Sequence, residues 1–211
     1  MEEITKTIPA YNPADVSTLD GLNNALQNKI LMNMEKVLPG IVQSYDRNTN
    51  RATIQPAITG IASQGQKISR EPLINIPVFC MAGGGIVLSF PIKQGDTGWL
   101  IASDRNISIF KQSLEESAPN DFRKHTFQDA FFLPDKINDI SVSNDDDGAV
   151  VIQTLDGGTK FSLKDGSITL TGDTTINGDL TVTGEATISG IPYTAHVHSN
   201  GHDGNDTGVA K

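Results

Sequence analysis

Gly166-Ser-Ile-Thr-Leu-Thr-Gly172-Asp-Thr-Thr-Ile-Asn-Gly178-Asp-Leu-Thr-Val-Thr-Gly184-Glu-Ala-Thr-Ile-Ser-Gly190 repeats with a strict period of six. Each of the four units reads Gly-x-x-Thr-apolar-(Thr/Asn/Ser). The threonines stand at 169, 175, 181 and 187, and the apolar residues are Leu170, Ile176, Val182 and Ile188. A short fixed period marks a repeat architecture rather than an ordinary globular core. β-Branched residues dominate, so each unit predicts a short strand closed by a glycine turn.

Four hexads cannot form a stable solenoid alone, because a repeat buries its apolar side only against stacked neighbours. A single-chain hexapeptide β-helix needs three hexads per coil, and this stretch would close little more than one. Three chains, each supplying one face of a prism, remove the difficulty. Side chains alternate along a strand, so the third position (Ile168, Thr174, Leu180, Ala186) and the fifth then point inward together. The pattern therefore predicts an intertwined homotrimer with threonine and acidic side chains outside.

Just beyond the repeat lies Tyr193-Thr-Ala-His-Val-His198. On an extended strand His196 and His198 project to one side, and three chains offer six imidazoles around a shared axis. Such ligation suits Fe, Ni, Cu or Zn and not Ca or Mg, and six ligands favour iron over four-coordinate zinc. The pair is thus the candidate metal site. His202 and Asp203, in the Gly/Asn-rich ending, read as turn residues.

The 211-residue chain allows one compact domain plus appendages, with a hydrophobic fraction of 37% and a formal charge of −9. That charge disfavours nucleic acid and anionic membrane as electrostatic partners. One cysteine, Cys80, excludes an intrachain disulfide, and its apolar run predicts burial. No Sec-type leader and no run of about eighteen apolar residues is present, so a chain soluble as made and not exported by a Sec-type signal is expected.

Residues 1–14 read as an arm. Leu19, Leu22, Leu26, Ile30, Met34 and Val37 follow helical spacing, with Ser17 or Thr18 as cap and Pro39-Gly40 as stop. From 40 to 134 the pattern is all-β. A hairpin is expected around Arg47-Asn-Thr-Asn50, with further strands at 73–80, 85–90, 98–102 and 130–133. Short strands with Gly/Asn turns suit a small OB-type barrel, without the basic face and aromatics that nucleic acid needs.

Gly83-Gly-Gly85 lacks the Lys-Ser/Thr of a phosphate loop and reads as a tight connection. Asp104-Arg105 predicts a structural ion pair or turn, and His125 a solvated or hydrogen-bonded side chain. Asn144-Asp-Asp-Asp-Gly148 lacks the spaced carboxylates of a calcium loop and predicts a solvated turn. The strand–turn units after Val150 and Thr159 read as the wide base of the prism. The expected organisation is an arm and helix over 1–36, an OB-fold over 37–135, a trimeric needle over 136–192 and a metal-bearing tip over 193–211.

Pro77-Val-Phe, then Gly83-Gly-Gly-Ile-Val-Leu-Ser-Phe-Pro91 and Gly95-Asp-Thr-Gly-Trp-Leu-Ile-Ala-Ser-Asp-Arg105, resembles the OB-fold domain of contractile-tail phage baseplate central spikes. Phe127-Gln-Asp-Ala-Phe-Phe-Leu-Pro134 looks like the end of that domain. The hexads and the His-x-His pair resemble the needle and iron-bearing tip of the same membrane-piercing spikes.

The resemblance implies a non-enzymatic trimer at the virion's baseplate tip, assembled in the host cytoplasm. It would be held to the hub or tail tube by its N-terminal region and driven through the host outer membrane on contraction. His196 and His198 carry over as ligands of one iron per trimer. The ending after His198 is longer than the family pattern. No lysozyme-like insert separates barrel and needle, which leaves peptidoglycan cleavage to another protein. A hexapeptide-repeat acyltransferase would carry an aliphatic residue before each glycine, where Thr171, Asn177, Thr183 and Ser189 stand here. A receptor- or glycan-binding tail protein would need an aromatic C-terminal knob, and only Tyr193 is there.

Overall fold

The structure is a computed structural model and describes residues 17–61, 66–137, 140–194, 196 and 197. The chain divides into two compact units, Met1–Ile140 and Ser141–Lys211.

The first unit begins with α1 (Leu19–Asn33), capped as its sequence predicts: Thr18 Oγ1 accepts the Gly21 N–H at 3.0 Å. None of its residues is buried. Of the predicted apolar stripe, Leu19, Leu22, Leu26 and Ile30 lie on the helix and open to solvent; Met34 is its C-cap, and Val37, Pro39 and Gly40 fall in the strand Val37–Asp46, so the helix ends well before the expected Pro39-Gly40 stop. What joins the helix end to the barrel is polar. The Glu35 N–H donates to the His125 carbonyl at 2.9 Å, and its carboxylate accepts from Phe127 N at 2.7 Å and Arg70 Nη1 at 2.8 Å.

The barrel is built from β1 (Val37–Asp46), β2 (Arg51–Pro56), β5 (Leu73–Pro77), β8 (Thr97–Ser103) and β9 (Thr126–Pro134). Two small ribbons, β3 (Gly60–Ile61) with β4 (Lys67–Ile68) and β6 (Met81–Gly83) with β7 (Ile86–Leu88), lie outside this sheet. The five main strands run in the order β5-β2-β1-β8-β9, all pairs antiparallel. Val78 bridges to Phe132, and Phe79 N donates to the Phe132 carbonyl at 2.8 Å, so the two edges nearly meet. A mainly β fold with a nearly closed barrel-like sheet results, consistent with the OB-fold. β1 and β2 turn at 47–50, and Gly84-Gly85 link β6 to β7.

Alternation sorts the side chains: Ala52, Ile54, Leu100 and Phe132 point inward and join Val42, Ile76, Val78, Ile92, Phe127 and Ala130 in one core. Gly98 is required where β8 approaches β9. A Cβ there would lie 2.3 Å from the Leu133 carbonyl oxygen and 2.6 Å from the Phe132 ring. Cys80 is only partly buried, because β5 ends at Pro77 and the apolar run leaves the sheet; Asn50 Nδ2 approaches its sulfur at 3.3 Å. A single turn of helix, α2 (Phe110–Ser113), lies between β8 and β9.

The second unit contains β10 (Val150–Gln153), β11 (Lys160–Lys164) and β12 (Ser167–Thr171) as an antiparallel sheet in that order. A short ribbon, β13 (Thr187–Ile188) with β14 (Ile191–Pro192), follows. Between 172 and 186 no strand forms within one chain, although the hexads predict strands there. A strand needs a neighbour for its backbone N–H and C=O groups, and one chain does not supply it over this stretch. Among the described residues no helix is long and apolar enough to cross a membrane.

Candidate functional site

The register of β10, β11 and β12 decides what the second unit presents. Val150 faces Leu163, which faces Ile168, and Ile152 faces Phe161, which faces Leu170. Residues directly opposite share a face of a sheet. All six of these side chains therefore stand on one face in two cross-strand rows. That face is bare in the single chain: Val150 is 67% exposed and Ile168 64%.

The reverse face is mostly polar and carries Gln153, Lys160, Ser162 and Thr169 beside Val151. A short 3-10 turn over Asn144–Asp146 covers part of it. Asp146 is buried there, 2.6 Å from Lys160 Nζ, and Ser162 is buried with it. The Lys160 hydrogen bond holds the Asp146 carboxyl below its usual value, against the opposing effect of desolvation and with further help from Ser162. The acidic run is thus a cover for the sheet rather than the fully solvated turn expected from sequence, because Lys160 gives one of its three aspartates a partner.

The apolar parity continues into the hexads. Ile176, Leu180, Val182 and Ile188 keep the even-numbered positions of Ile168 and Leu170, and all are exposed. The two cross-strand rows of the sheet make one exposed apolar patch, and such patches mark interaction surfaces.

At the end of the hexads the chain folds back on itself. β13 and β14 pair through Ile188 and Ile191, with Ser189 (φ 52°) and Gly190 (φ 80°) making the turn. Tyr193 N donates to the Ala186 carbonyl at 2.7 Å. Glu185 takes Thr194 with both oxygens: Oε1 accepts the Thr194 N–H at 2.9 Å, and Oε2 accepts its hydroxyl. These contacts, the hydroxyl first, hold the Glu185 carboxyl below the ordinary range. His196 turns Nδ1 to the Tyr193 carbonyl, and its ring lies 5.2 Å from the Tyr193 ring.

Of the two predicted ligands, His196 is half-buried beside this turn, and His198 lies outside the described residues, as do His202 and Asp203. Among the described residues of one chain, no three His, Cys, Asp or Glu side chains gather closely enough for a metal. The His196 geometry nevertheless fits a ligand's role: metal-bound imidazoles almost always donate their second ring N–H to a carbonyl, carboxylate or water.

In the first unit, Asp104 pairs with Arg105 at 3.3 Å and with His125 at 3.0 Å, as a structural reading of both requires. An open hollow of about 460 Å³ beside the helix end is lined in part by Glu35, Arg70, Lys124 and His125. Both Glu35 oxygens already hold partners, so the carboxylate there is a latch. Sequence reasoning missed this latch and the Glu185–Thr194 pair. Only Ser189-Gly190 before Ile-Pro signalled the second.

Residues 38–135, from the start of β1 to just past β9, match the family described as Phage protein Gp138 N-terminal domain. The match marks a phage protein. It is consistent with a virion-associated structural role in a baseplate, and it covers a little under half of the chain. No curated protein matches the chain.

Proposed function

We propose that three copies of this phage protein form the membrane-piercing central spike of a contractile baseplate. The observation that carries the reading is the bare apolar face of β10, β11 and β12, whose parity runs on through the hexads to Ile188. The occupant that fits it is the same face of two further copies. Each then supplies the neighbour that residues 172–186 lack within one chain, and the acidic and threonine positions stay in water. Strands interlocked from three chains are stiff and resist unravelling, which is what puncturing a membrane demands.

The N-terminal region, with the exposed stripe of α1, is the part that docks on the hub or tail tube. Contact with the host outer membrane is mechanical, nucleic acid is not a partner, and the action is not enzymatic. The metal reading places His196 and His198 of the three chains around one iron. Bound there, iron would tie together three chain ends that otherwise fray.

The test is a reconstruction of the baseplate from the phage that encodes the chain. A three-fold needle on the tube axis, absent from particles made without the protein, is expected. Density at the ends of tail fibres instead would replace the spike with receptor or glycan binding. Iron content of untagged protein, compared with a His196→Ala/His198→Ala variant, tests the metal separately.

A further inference from the structure

The hollow where α1 runs into β1 is formed wholly by the first unit, and its charge is opposite in sign to that of the chain. Its walls carry three permanent cations, Lys36, Arg70 and Lys124, against the single carboxylate of Glu35, on a chain of formal charge −9. That carboxylate is spent: one oxygen takes Arg70 and the other the Phe127 N–H. Asp104, which is not part of the walls, pairs with His125. The ammonium groups of Lys36 and Lys124, both exposed, have no partner among the described residues. Arg70 is under-used as well. Its Nη1 meets Glu35, while its Nε is buried without an acceptor among the described residues, where polar groups are as a rule paired.

Cations gathered around a concave surface repel one another and focus a positive potential into it, so the arrangement fits an anion. Apolar walls stand beside them: Met32 in the last turn of α1, its cap Met34, and Val37 at the start of β1. Met32 is 84% exposed, and methionines adapt to the shape of what covers them. A space of about 460 Å³ is in the range that takes a drug-sized molecule, hence a short stretch of peptide rather than a lone ion. The sign of the whole chain narrows the anion further. Nucleic acid or an anionic membrane presents many charges and meets the field of the entire acidic molecule. One or two carboxylates entering the hollow meet mainly the local cations, because screening removes the rest beyond about 8 Å at physiological salt.

We propose that this hollow is the socket for an acidic segment of another baseplate protein. The segment's carboxylate is held by Lys36, Lys124 and Arg70, and an adjoining apolar side chain lies against Met32, Met34 and Val37. The proposal rests on the baseplate reading above and gives its N-terminal docking region a partner chemistry. In that reading the copies of this chain already meet through the apolar face of β10, β11 and β12, whereas the hollow belongs to the other unit and begins at the end of α1.

The experiment uses baseplates purified from the phage that encodes the chain, with Met32→p-benzoylphenylalanine in the full-length protein. Met32 lines the hollow without supplying its charge. After illumination, the cross-linked peptides are sequenced by mass spectrometry. A peptide of another baseplate protein, with Asp or Glu beside the attachment point, is expected. Cross-links only to this chain, or only to segments without an acid, would overturn the proposal, as would no cross-link on baseplates that contain the protein.

Retention on the baseplate as sodium chloride is raised gives the second reading. Lys36→Gln/Lys124→Gln, which removes two exposed ion pairs to the segment, should dissociate about 2–30-fold more readily than wild type. Its mass and melting temperature should be unchanged, since neither ammonium holds a partner in the fold. Arg47→Gln/Lys67→Gln removes the same charge from exposed positions outside the hollow and should be retained like wild type. Equal loss in both doubles would reduce the effect to net charge and overturn the socket. Wild-type baseplates that lack the protein would remove the baseplate reading itself; baseplates that hold it with the hollow unoccupied sink the socket alone.

Discussion

Replacing Leu170 by aspartate should break the assembly, and replacing its neighbour Thr169 in the same way should not. Leu170 lies in the row Ile152–Phe161–Leu170 on the apolar face and is 56% exposed in the single chain. Fully burying a leucine is worth about 1.5–3 kcal/mol, so covering the exposed half adds about 1–1.5 kcal/mol per chain, and three-fold symmetry makes it about 3–5 kcal/mol. That amounts to roughly two to four orders of magnitude in the trimerisation constant. Three unpaired carboxylates facing one axis would cost still more, since a buried charge without a partner is strongly penalised. Thr169 pairs with Ser162 on the opposite face, and an aspartate there adds one more charge to an already acidic exterior. Mass by light scattering and thermal melting, run on both variants at equal micromolar concentration, read the difference. A trimeric Leu170→Asp that melts with Thr169→Asp would refute the assignment of the buried face.

Gly98→Ala should lower stability by about 1–3 kcal/mol or more, because the new methyl meets the Leu133 carbonyl oxygen at 2.3 Å. A urea melt of unchanged midpoint would contradict the register of β8 on β9. Glu35→Ala should cost about 1–3 kcal/mol, mainly by leaving the Phe127 N–H without its acceptor. The half-open ion pair to Arg70 adds at most about 1 kcal/mol, so Glu35→Gln should recover most of the loss in the same melt. Asp146 has a lowered folded pKa through Lys160, so its contribution is complete above the unfolded value near about 4 and is lost as pH falls through the folded value. Melting of the wild type should therefore drop below about pH 4, and Lys160→Met should flatten that part of the profile.

Local signals were legible and distant pairings were not. Arg47-Asn-Thr-Asn50 announces the first hairpin because a turn residue acts on its own neighbours. Thr18 and the three-four spacing announce α1 for the same reason. The edge-to-edge closure through Val78 and Phe132 joins residues more than fifty positions apart, and no local pattern encodes it.

The hexads reveal their own apolar parity. They do not reveal that Val150, Ile152, Phe161 and Leu163 share the face, since that depends on turn registers at 154–159 and 165–166. Asp146 was hidden inside an acidic run, where composition speaks for solvent and a lysine fourteen residues on speaks for burial. Past the hexads, His196-x-His198 was conspicuous, while the Glu185–Thr194 pair depends on a chain reversal at Ser189-Gly190 that a uniform repeat does not predict.

The most direct test of the account is the solution mass of untagged full-length protein. Three copies of the 22.6 kDa chain, about 68 kDa in all, are predicted to elute as one species. A particle of 22.6 kDa at micromolar concentration, with the apolar face left in water, would contradict the trimeric needle and the spike built on it.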